Sequence, residues 1–407
     1  MKREIPSATR AQSLFLAKSV MEPASSATMW QLESSPSCCR ARAEETLLVP
    51  TMRRFGIPLT TNLLAWIQLR ILRKWQSKCF TRSRMNDSNF FLSRQNRWGT
   101  LLTGEETTGG RLFEIQNPWA SNPAGANIRW LTAVPIMAHE GIRFDSAGNL
   151  YTVDENNSGS VYKFVPSTYG DLSSGQAFVL KVDSYDGSFA GENWNSAGNT
   201  AASRDGVATW VPLTDASGVP LTTTDPFLTS NSDTGGRAAG DEVGATPYGR
   251  PEDMVISPTS GKEILYFTAT SEPVVYSVEL NYGGLSNKAN VKKFVSRDTI
   301  NLATGAPVGS ELASPDNLAV DENGLIYVIE DQGPPNSDVW QAVDADGDGV
   351  AESVARFLTQ GITGSEPTGL IFDPNTKRAI IAVQHPSSGN DAIWEITLGE
   401  RNGHLRG

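Results

Sequence analysis

Four acidic residues stand at matching places in the sequence, each just ahead of an apolar pattern typical of a β-strand. Glu140, Glu252 and Asp316 precede the polar turn that ends this pattern by five residues, and Glu366 precedes its turn by seven. If the fold brings these carboxylates together, they repel one another, and their burial is costly unless a hard cation such as Ca²⁺ lies between them. The pattern therefore predicts a metal site, and the alternative is a set of turn-initiating acids on solvated loops.

Several residues suited to binding or catalysis lie next to these acids. Arg250 comes just ahead of the second acid; it can neutralise that acid, or its guanidinium can bind a phosphate through two parallel hydrogen bonds. His139 and His385 also border the pattern, although a histidine in such a place is more often a packed residue than a metal ligand. Glu105 and Glu106 form a further acidic pair at the end of an apparent strand.

A second candidate site is the segment "DADGDGVAE". It places Asp344, Asp346 and Asp348 at alternate positions, with a glycine after them and Glu352 beyond. Alternating oxygen ligands and a glycine turn resemble the start of an EF-hand calcium loop, but the twelfth position is Ala355 instead of glutamate. The segment predicts either a second calcium loop or a surface turn held by hydrogen bonds from side chains to the backbone.

The elements that position the acids repeat along the chain. The segments "HEGIRFDSAGNLYTVDE", "PEDMVISPTSGKEILYFTA", "PDNLAVDENGLIYVIED" and "EPTGLIFDPNTKRAIIAVQ" each contain an acid, a strand, a turn and a second strand. Repeated strand units with almost no helical periodicity predict an all-β fold, a β-propeller, whose innermost strands bring the acids to one end of the central channel. About 300 residues at ~40–50 per blade predict six blades, with seven as the alternative. The repeats begin 112, 64 and 51 residues apart, so the long first interval holds a degenerate blade or an insertion.

The propeller is predicted to occupy residues 96–407, because the composition changes near Trp98. Residues 1–95 carry 15 Lys/Arg and 6 Asp/Glu, and residues 96–407 carry 19 and 39, so net charges of +9 and −20 meet at this boundary. Residues 1–95 show no sustained periodicity of a strand or a helix. They are interpreted as a leader that is disordered or whose limits in the sequence are wrongly assigned. Arg53 and Arg54 precede an apolar stretch, as in a twin-arginine export signal, but polar residues interrupt the stretch, so no clear signal peptide is identified.

Composition also limits the function classes. An acidic body disfavours nucleic acid and anionic membranes as partners and favours cations. The sequence has no apolar run of the ~18 residues that a membrane-spanning helix requires. The three cysteines, Cys38, Cys39 and Cys79, all precede the propeller, so disulfides do not hold it together.

Five ordered motifs together resemble the PhoX-type alkaline phosphatase family over residues 96–397. They are "RWGTLLTGEE", "AHEGIRFD" with "GSVYKFVP", "RPEDMV", "SPDNLAVD", and "GSEPTGLIF" with "VQHP". The resemblance implies a six-bladed propeller, calcium-dependent hydrolysis of a small phosphate monoester, a site of iron and calcium, and export to the periplasm or the cell exterior. A monomer is expected. The residues that the resemblance assigns to the site are Arg250 for the phosphate and Glu105, Glu106, Glu140, Glu252, Asp316 and Glu366 for the metals.

Two departures from the family pattern concern the metals. The residue before Glu105, where the family has an iron-binding cysteine, is Gly104, and the residue before Glu366, where many relatives also have a cysteine, is Ser365. Residues 1–95 resemble nothing in the family. The chain is therefore expected to bind calcium, with iron binding disfavoured, and to be either a phosphatase or a relative that has lost the activity.

Two further interpretations stay open. The segment "PDNLAVDENGLIYVIED" is also similar to calcium-dependent lactonases of the gluconolactonase type, in which calcium held by Glu, Asn and Asp polarises a lactone carbonyl. In that case Asn317 matters more than Arg250. The third interpretation is a non-catalytic propeller that binds calcium for stability and presents its loops to a partner.

Overall fold

Strands dominate the computed structural model, which describes residues 90–95, 98–121, 126–228, 235–259, 261–331, 337–373 and 375–398. Within these ranges the α-helices are short, α1 (Ala197–Ala201) and α2 (Gly235–Glu242), with 3₁₀ turns at Tyr282–Gly284 and Gly309–Glu311. The all-β prediction is therefore confirmed. Among the described residues, no helix has the length and apolar character needed to cross a membrane.

The strands form successive antiparallel sheets of three or four strands, which are the blades of a β-propeller. The first blade comprises β1 (Phe90–Gln95), β2 (Leu101–Glu105), β3 (Leu112–Ile115) and β4 (Ile128–Trp130), and the second β5 (His139–Phe144), β6 (Leu150–Asp154), β7 (Val161–Thr168) and β8 (Asp171–Val182). The third blade comprises β10 (Pro251–Thr259), β11 (Lys262–Ala269), β12 (Val274–Leu280) and β13 (Lys288–Val295). The fourth blade comprises β16 (Pro315–Val320), β17 (Ile326–Glu330), β18 (Asp338–Val343) and β19 (Ser353–Thr359). The fifth blade comprises β20 (Glu366–Asp373), β21 (Arg378–Gln384) and β22 (Ala392–Thr397).

The innermost strands of these blades, β1, β5, β10, β16 and β20, lie side by side in this order. The described residues account for five blades, and the count of six stays a prediction for the whole chain. The β-structure begins at Phe90, six residues inside the segment predicted as a leader, because β1 pairs with β2. The rest of that segment, with Arg53, Arg54 and the cysteines, lies outside the described residues.

The long first interval between repeats is an insertion and not a degenerate blade. It contains α1, α2 and β9 (Gly206–Pro212), and β9 pairs with β8 on one side and with β13 on the other. The strand thereby joins the second and third blades into one nine-stranded sheet. A smaller insertion, with β14 (Ile300–Asn301) and β15 (Ala306–Pro307), adds to the outer edge of the fourth blade.

The repeated turn between the first two strands of a blade is held by an aspartate. Asp145 accepts hydrogen bonds from the amide four residues later at 2.8 Å and from the hydroxyl of Tyr151 at 3.0 Å. Asp321 accepts the same pair of bonds, from the amide four residues later at 3.0 Å and from Tyr327 at 3.4 Å. Side-chain to backbone bonds of this kind fix tight turns, and they explain why an aspartate and a tyrosine recur six residues apart.

The hydrophobic core lies between neighbouring blades. Trp210, Tyr248 and Phe267 pack between the second and third blades, and Tyr266 and Trp340 pack between the third and fourth. All five are almost completely buried, and each side chain of this size stabilises the fold by ~1.5–3 kcal/mol. Facing sheets therefore hold the innermost strands in a fixed relation.

One buried ion pair links three innermost strands. Asp253 on β10 binds Arg143 on β5 at 2.8 Å, and its other carboxylate oxygen accepts the amide of Leu318 on β16 at 3.1 Å. Both charged side chains are nearly buried. Removing one partner of such a pair leaves an uncompensated charge in the interior, which costs ~3–5 kcal/mol.

Asp253→Ala is therefore expected to lower the free energy of unfolding by ~3–5 kcal/mol, measured by urea denaturation in a chelator so that metal binding does not contribute. Asp183→Ala is the matched control, because its ion pair with Lys288 at 2.8 Å is partly exposed, and such pairs contribute ~0–1 kcal/mol. Equal losses in the two variants would show that the link between the strands does not stabilise the fold.

Candidate functional site

Carboxylates from neighbouring blades converge at one end of the innermost strands. Glu140, Glu252 and Asp316 are each the second residue of their strand, and each is at most 5% exposed. All three lie at a β-bulge, where the pairing with the second strand shifts register. A bulge redirects a side chain that regular pleating would send elsewhere, so the acids are brought together by a repeated local irregularity.

The closeness of these carboxylates, together with their burial, raises their pKa values. Burial and the carboxylate of Glu252 raise the pKa of Glu140 well above its usual range. Burial raises the pKa of Glu252 to about 8. Burial, Glu252 and Glu366 together raise the pKa of Asp316 well above its usual range. Without a bound cation, the group therefore carries protons at neutral pH.

A second set of polar residues lies at the same end, directly after the second strand of each blade. This set consists of Glu106, Glu155, Thr270, Asp331 and His385. Carboxylate oxygens of Glu106, Glu140 and Glu155 lie within 4.8 Å of one another. Calcium–oxygen distances are about 2.3–2.6 Å, so one calcium ion can bind all three.

Two residues of this second set were missed by the sequence analysis. Glu155 and Asp331 end the segments "TVDE" and "VIED", which repeat an acidic pair after the second strand. This repeated acidic pair is the sequence signal that could have identified both residues. Oδ1 of Asp331 is buried and accepts no hydrogen bond from the residues that the structure describes.

Arg250 is the cation at the centre of this group. Its Nε lies 2.8 Å from Glu252 and its Nη2 lies 2.8 Å from Glu155. Burial alone would lower the pKa of Arg250, but the two carboxylates outweigh this effect and raise it. Because 37% of the side chain is exposed, the guanidinium also borders solvent. The arrangement places one fixed positive charge among several acids.

Glu366 occupies a different position in its strand from the other three acids. It is the first residue of β20 and pairs with Gln384, just as His139 pairs with Asp154 in the second blade. It therefore corresponds to the residue before the acid in the other blades. Its carboxylate still raises the pKa of Asp316, so it belongs to the same electrostatic group.

Two other predicted residues use their polar atoms elsewhere. Both carboxylate oxygens of Glu105 bind the guanidinium of Arg111, at 2.7 and 2.8 Å. Asn317 donates a hydrogen bond to Asp316, and its carbonyl oxygen accepts one from Thr368 of the next blade at 2.7 Å. Asn317 thus orients Asp316, and the structure does not bring Glu105 to the carboxylate group.

The histidines that border the pattern differ in their surroundings. His139 is fully buried, with Nδ1 3.4 Å from the hydroxyl of Thr152. Burial lowers the pKa of His139 to about 3, so the ring is neutral. His385 lies beside Asp331 at the solvent-facing end of the blades and has a left-handed backbone with φ of 54°.

The aspartate-rich segment forms a turn between β18 and β19. Carboxylate oxygens of Asp344, Asp346 and Asp348 lie within 4.8 Å of one another. All three also accept backbone amides of the same turn, Asp348 pairs with Lys292 at 3.0 Å, and Glu352 accepts an amide at 2.8 Å. These bonds account for the segment as a surface turn, and a second calcium loop stays a prediction.

The raised pKa values determine how pH affects stability. The pKa of Glu252 is about 8 in the folded protein, against a usual value of 4.5, so the folded state holds a proton that the unfolded chain releases. This contribution is complete below the usual pKa and is lost as pH rises through about 8. In a chelator, Tm should therefore fall between about pH 5 and pH 8, and the gain in Tm on adding calcium should grow, because the cation binds deprotonated carboxylates.

Glu252→Gln is the control for this prediction, because it removes one of the titrating groups and should weaken both trends. A Tm that rises with pH in the chelator, or a calcium effect independent of pH, would contradict the description of the site.

The family model "Alkaline phosphatase PhoX" matches residues 112–387. No curated protein matches the sequence. The structure of Pseudomonas fluorescens PhoX in complex with vanadate, a transition state analogue, aligns with a TM-score of 0.51 and 21% identity, over 71% of this chain and 57% of that chain. This likeness supports the propeller fold, and the chain spans little more than half of that protein.

Two further structures align with lower scores. A luciferin-regenerating enzyme aligns at 12% identity and a TM-score of 0.40, over 77% of this chain and 78% of that one. The periplasmic gluconolactonase of Pseudomonas aeruginosa aligns at 12% identity and a TM-score of 0.27, over 74% and 96%. Neither likeness bears on function. Since the family match covers more than half of its length, the chain belongs to the PhoX alkaline phosphatase family.

Proposed function

We propose that the protein is a calcium-dependent phosphate monoester hydrolase. The observation that carries this proposal is the convergence of buried carboxylates around Arg250, which pairs with Glu252 and Glu155 at 2.8 Å. Acids alone would repel a phosphate. Acids that hold cations beside a guanidinium create a positive pocket for one, and membership of the PhoX family supports this chemistry.

The residues present fit calcium. Glu106, Glu140 and Glu155 would hold one ion, and Glu252 and Asp316 would contribute to a second. Oε2 of Glu140 is buried and accepts no hydrogen bond from the described residues, so it has an unused lone pair for a cation. Carboxylate oxygen is the ligand that calcium prefers. When bound, calcium supplies the positive charge that stabilises the phosphate oxygens during hydrolysis.

The same residues do not fit a thiolate-bound iron. The position that carries the family's cysteine is Gly104, and residues 96–407 contain no cysteine. A Cβ at position 104 would lie 2.5 Å from Cβ of His139, which is closer than two such atoms approach in proteins. A side chain at position 104 would force β2 away from β5, so the packing of this chain disfavours a thiol at that position.

Arg250 would bind the substrate phosphate. Its planar guanidinium can donate two parallel hydrogen bonds to a phosphate, and such charge-assisted bonds are stronger than neutral ones. In this structure it donates to Glu155 instead, at 2.8 Å from Nη2. Once these acids hold a cation, the guanidinium is free to turn to the phosphate. Arg250 then stabilises the charge that grows on the phosphate oxygens.

No observation favours the lactonase interpretation. It requires the carbonyl oxygen of Asn317 as a calcium ligand, and that atom accepts hydrogen bonds from Thr368 and from the amide of Gly369. The proposal also includes a small phosphorylated substrate, a monomeric protein and export to the periplasm or the cell exterior, which is supported by the family membership. A non-catalytic propeller is an outcome of the assays below.

Arg250→Ala should lower kcat/KM for a chromogenic phosphate monoester by ~10²-fold or more, which is typical for the loss of one group that stabilises transition-state charge. Hydrolysis by the unchanged protein should require calcium. Arg378→Ala is the matched control, because Arg378 forms an exposed pair with Glu395 on the fifth blade at 3.1 Å; its activity should be unchanged.

Lactone hydrolysis measured in parallel discriminates the alternatives. Activity on a lactone that is lost in Asn317→Ala and kept in Arg250→Ala would contradict the phosphatase proposal. Calcium binding without activity on either substrate would identify a non-catalytic propeller.

A further inference from the structure

Arg250 has a backbone conformation that needs support. Its φ of 55° lies in the left-handed region, which side chains other than glycine seldom occupy. Such a conformation persists only where the surrounding structure determines it, and it is concentrated at functional sites. The residues that hold Arg250 in this conformation therefore affect where its guanidinium points.

The backbone around Arg250 is fixed on both sides. Its amide donates to the carbonyl of Tyr248 at 3.1 Å, and its carbonyl accepts the amide of Thr270 at 3.1 Å. The amide of the preceding residue, Gly249, donates to a carboxylate oxygen of Glu272 at 2.6 Å. Of these contacts, the one to Glu272 is made by a side chain, so it can be altered by substitution.

Glu272 is itself held rigidly. Arg204 donates to both of its carboxylate oxygens at 2.8 Å, and the hydroxyl of Tyr276 donates to one of them at 2.9 Å. The Glu272 side chain is 5% exposed and that of Arg204 is 13% exposed. A bidentate pair of this kind fixes geometry as well as charge. Arg204 belongs to the insertion between the second and third blades.

The insertion also packs directly on Gly249. A Cβ at this glycine would lie 2.5 Å from Cγ of Glu272 and 2.9 Å from the ring of Trp194. The guanidinium of Arg204 lies 5.7 Å from the centre of the same ring. The backbone ahead of Arg250 is thus enclosed by Glu272 on one side and by an insertion residue on the other.

We infer that Glu272 and Arg204 are positioning residues, a brace by which the insertion sets the orientation of Arg250 and hence the affinity of the site for phosphate. The inference rests on the proposed function of Arg250. It gives the long insertion a role at the site, although none of its residues belongs to the carboxylate group.

The experiment is a double-mutant cycle. The unchanged protein, Glu272→Gln, Arg250→Ala and the double variant are titrated by calorimetry with inorganic phosphate, each saturated with calcium. Glu272→Gln should weaken phosphate binding about tenfold, as is typical for residues that orient a binding group. It should have no further effect in the Arg250→Ala background, because Glu272 acts through Arg250. Arg204→Lys should repeat the loss.

Calcium titrations of the same four proteins give a readout that needs no phosphate. Arg250 competes with calcium for Glu155 and Glu252, so Glu272→Gln should tighten calcium binding about threefold, again only when Arg250 is present. Asp183→Asn, which alters another ion pair at the insertion, is the control and should leave both affinities unchanged.

Two results would contradict this inference. In the first, Glu272→Gln leaves the phosphate and calcium affinities unchanged. In the second, its effects on these affinities persist in full in the Arg250→Ala background. If the unchanged protein binds calcium but no phosphate, the proposed function is contradicted. The double-mutant cycle measured with calcium then still tests whether Glu272 and Arg204 position Arg250.

Discussion

Mutual repulsion among buried carboxylates is the constraint on which this site depends. Glu140, Glu252 and Asp316 are almost completely buried within reach of one another, and they cannot all be ionised unless positive charge lies between them. Arg250 supplies part of that charge. Protons or cations must supply the rest, and burial and mutual repulsion raise the pKa of each acid, which favours the protonated form when no cation is bound. Protons and a bound cation are therefore alternative ways to relieve the repulsion among these acids.

The fold separates this strained end from a stable body. Aromatic side chains between the blades and the Asp–Tyr turns at the opposite end keep the innermost strands in place. At the site, by contrast, bulges interrupt the pairing, and Arg250, Ser314 and His385 have left-handed backbones with φ of 55°, 43° and 54°. Stability of the body compensates for repulsion and strain at the site, which is the distribution expected of a functional centre.

Local sequence patterns predicted part of this arrangement. The propeller and the convergence of Glu140, Glu252 and Asp316 followed from repeated turns, because alternation fixes the register inside each blade. Glu366 is the first residue of its strand, one position before that of the other acids in their strands. Its distance in sequence from the following turn does not show this difference. The bond between Glu105 and Arg111, the long-range pairing of β9 with two blades, and the placement of Glu155 all depend on contacts between distant segments, and a local pattern carries no information on these.

Competition between protons and calcium for these acids, which the proposed function requires, can be measured directly. Calcium is titrated into the metal-free protein by calorimetry near pH 7, in buffers that differ in their heat of ionisation, so that the protons released per bound calcium are counted. Because burial and mutual repulsion raise the pKa of Glu140 and of Glu252, binding should release protons, and Glu140→Gln should reduce both the affinity and the release. Calcium binding with no proton release, or binding that Glu140→Gln leaves unchanged, would contradict a cation site built from these buried acids.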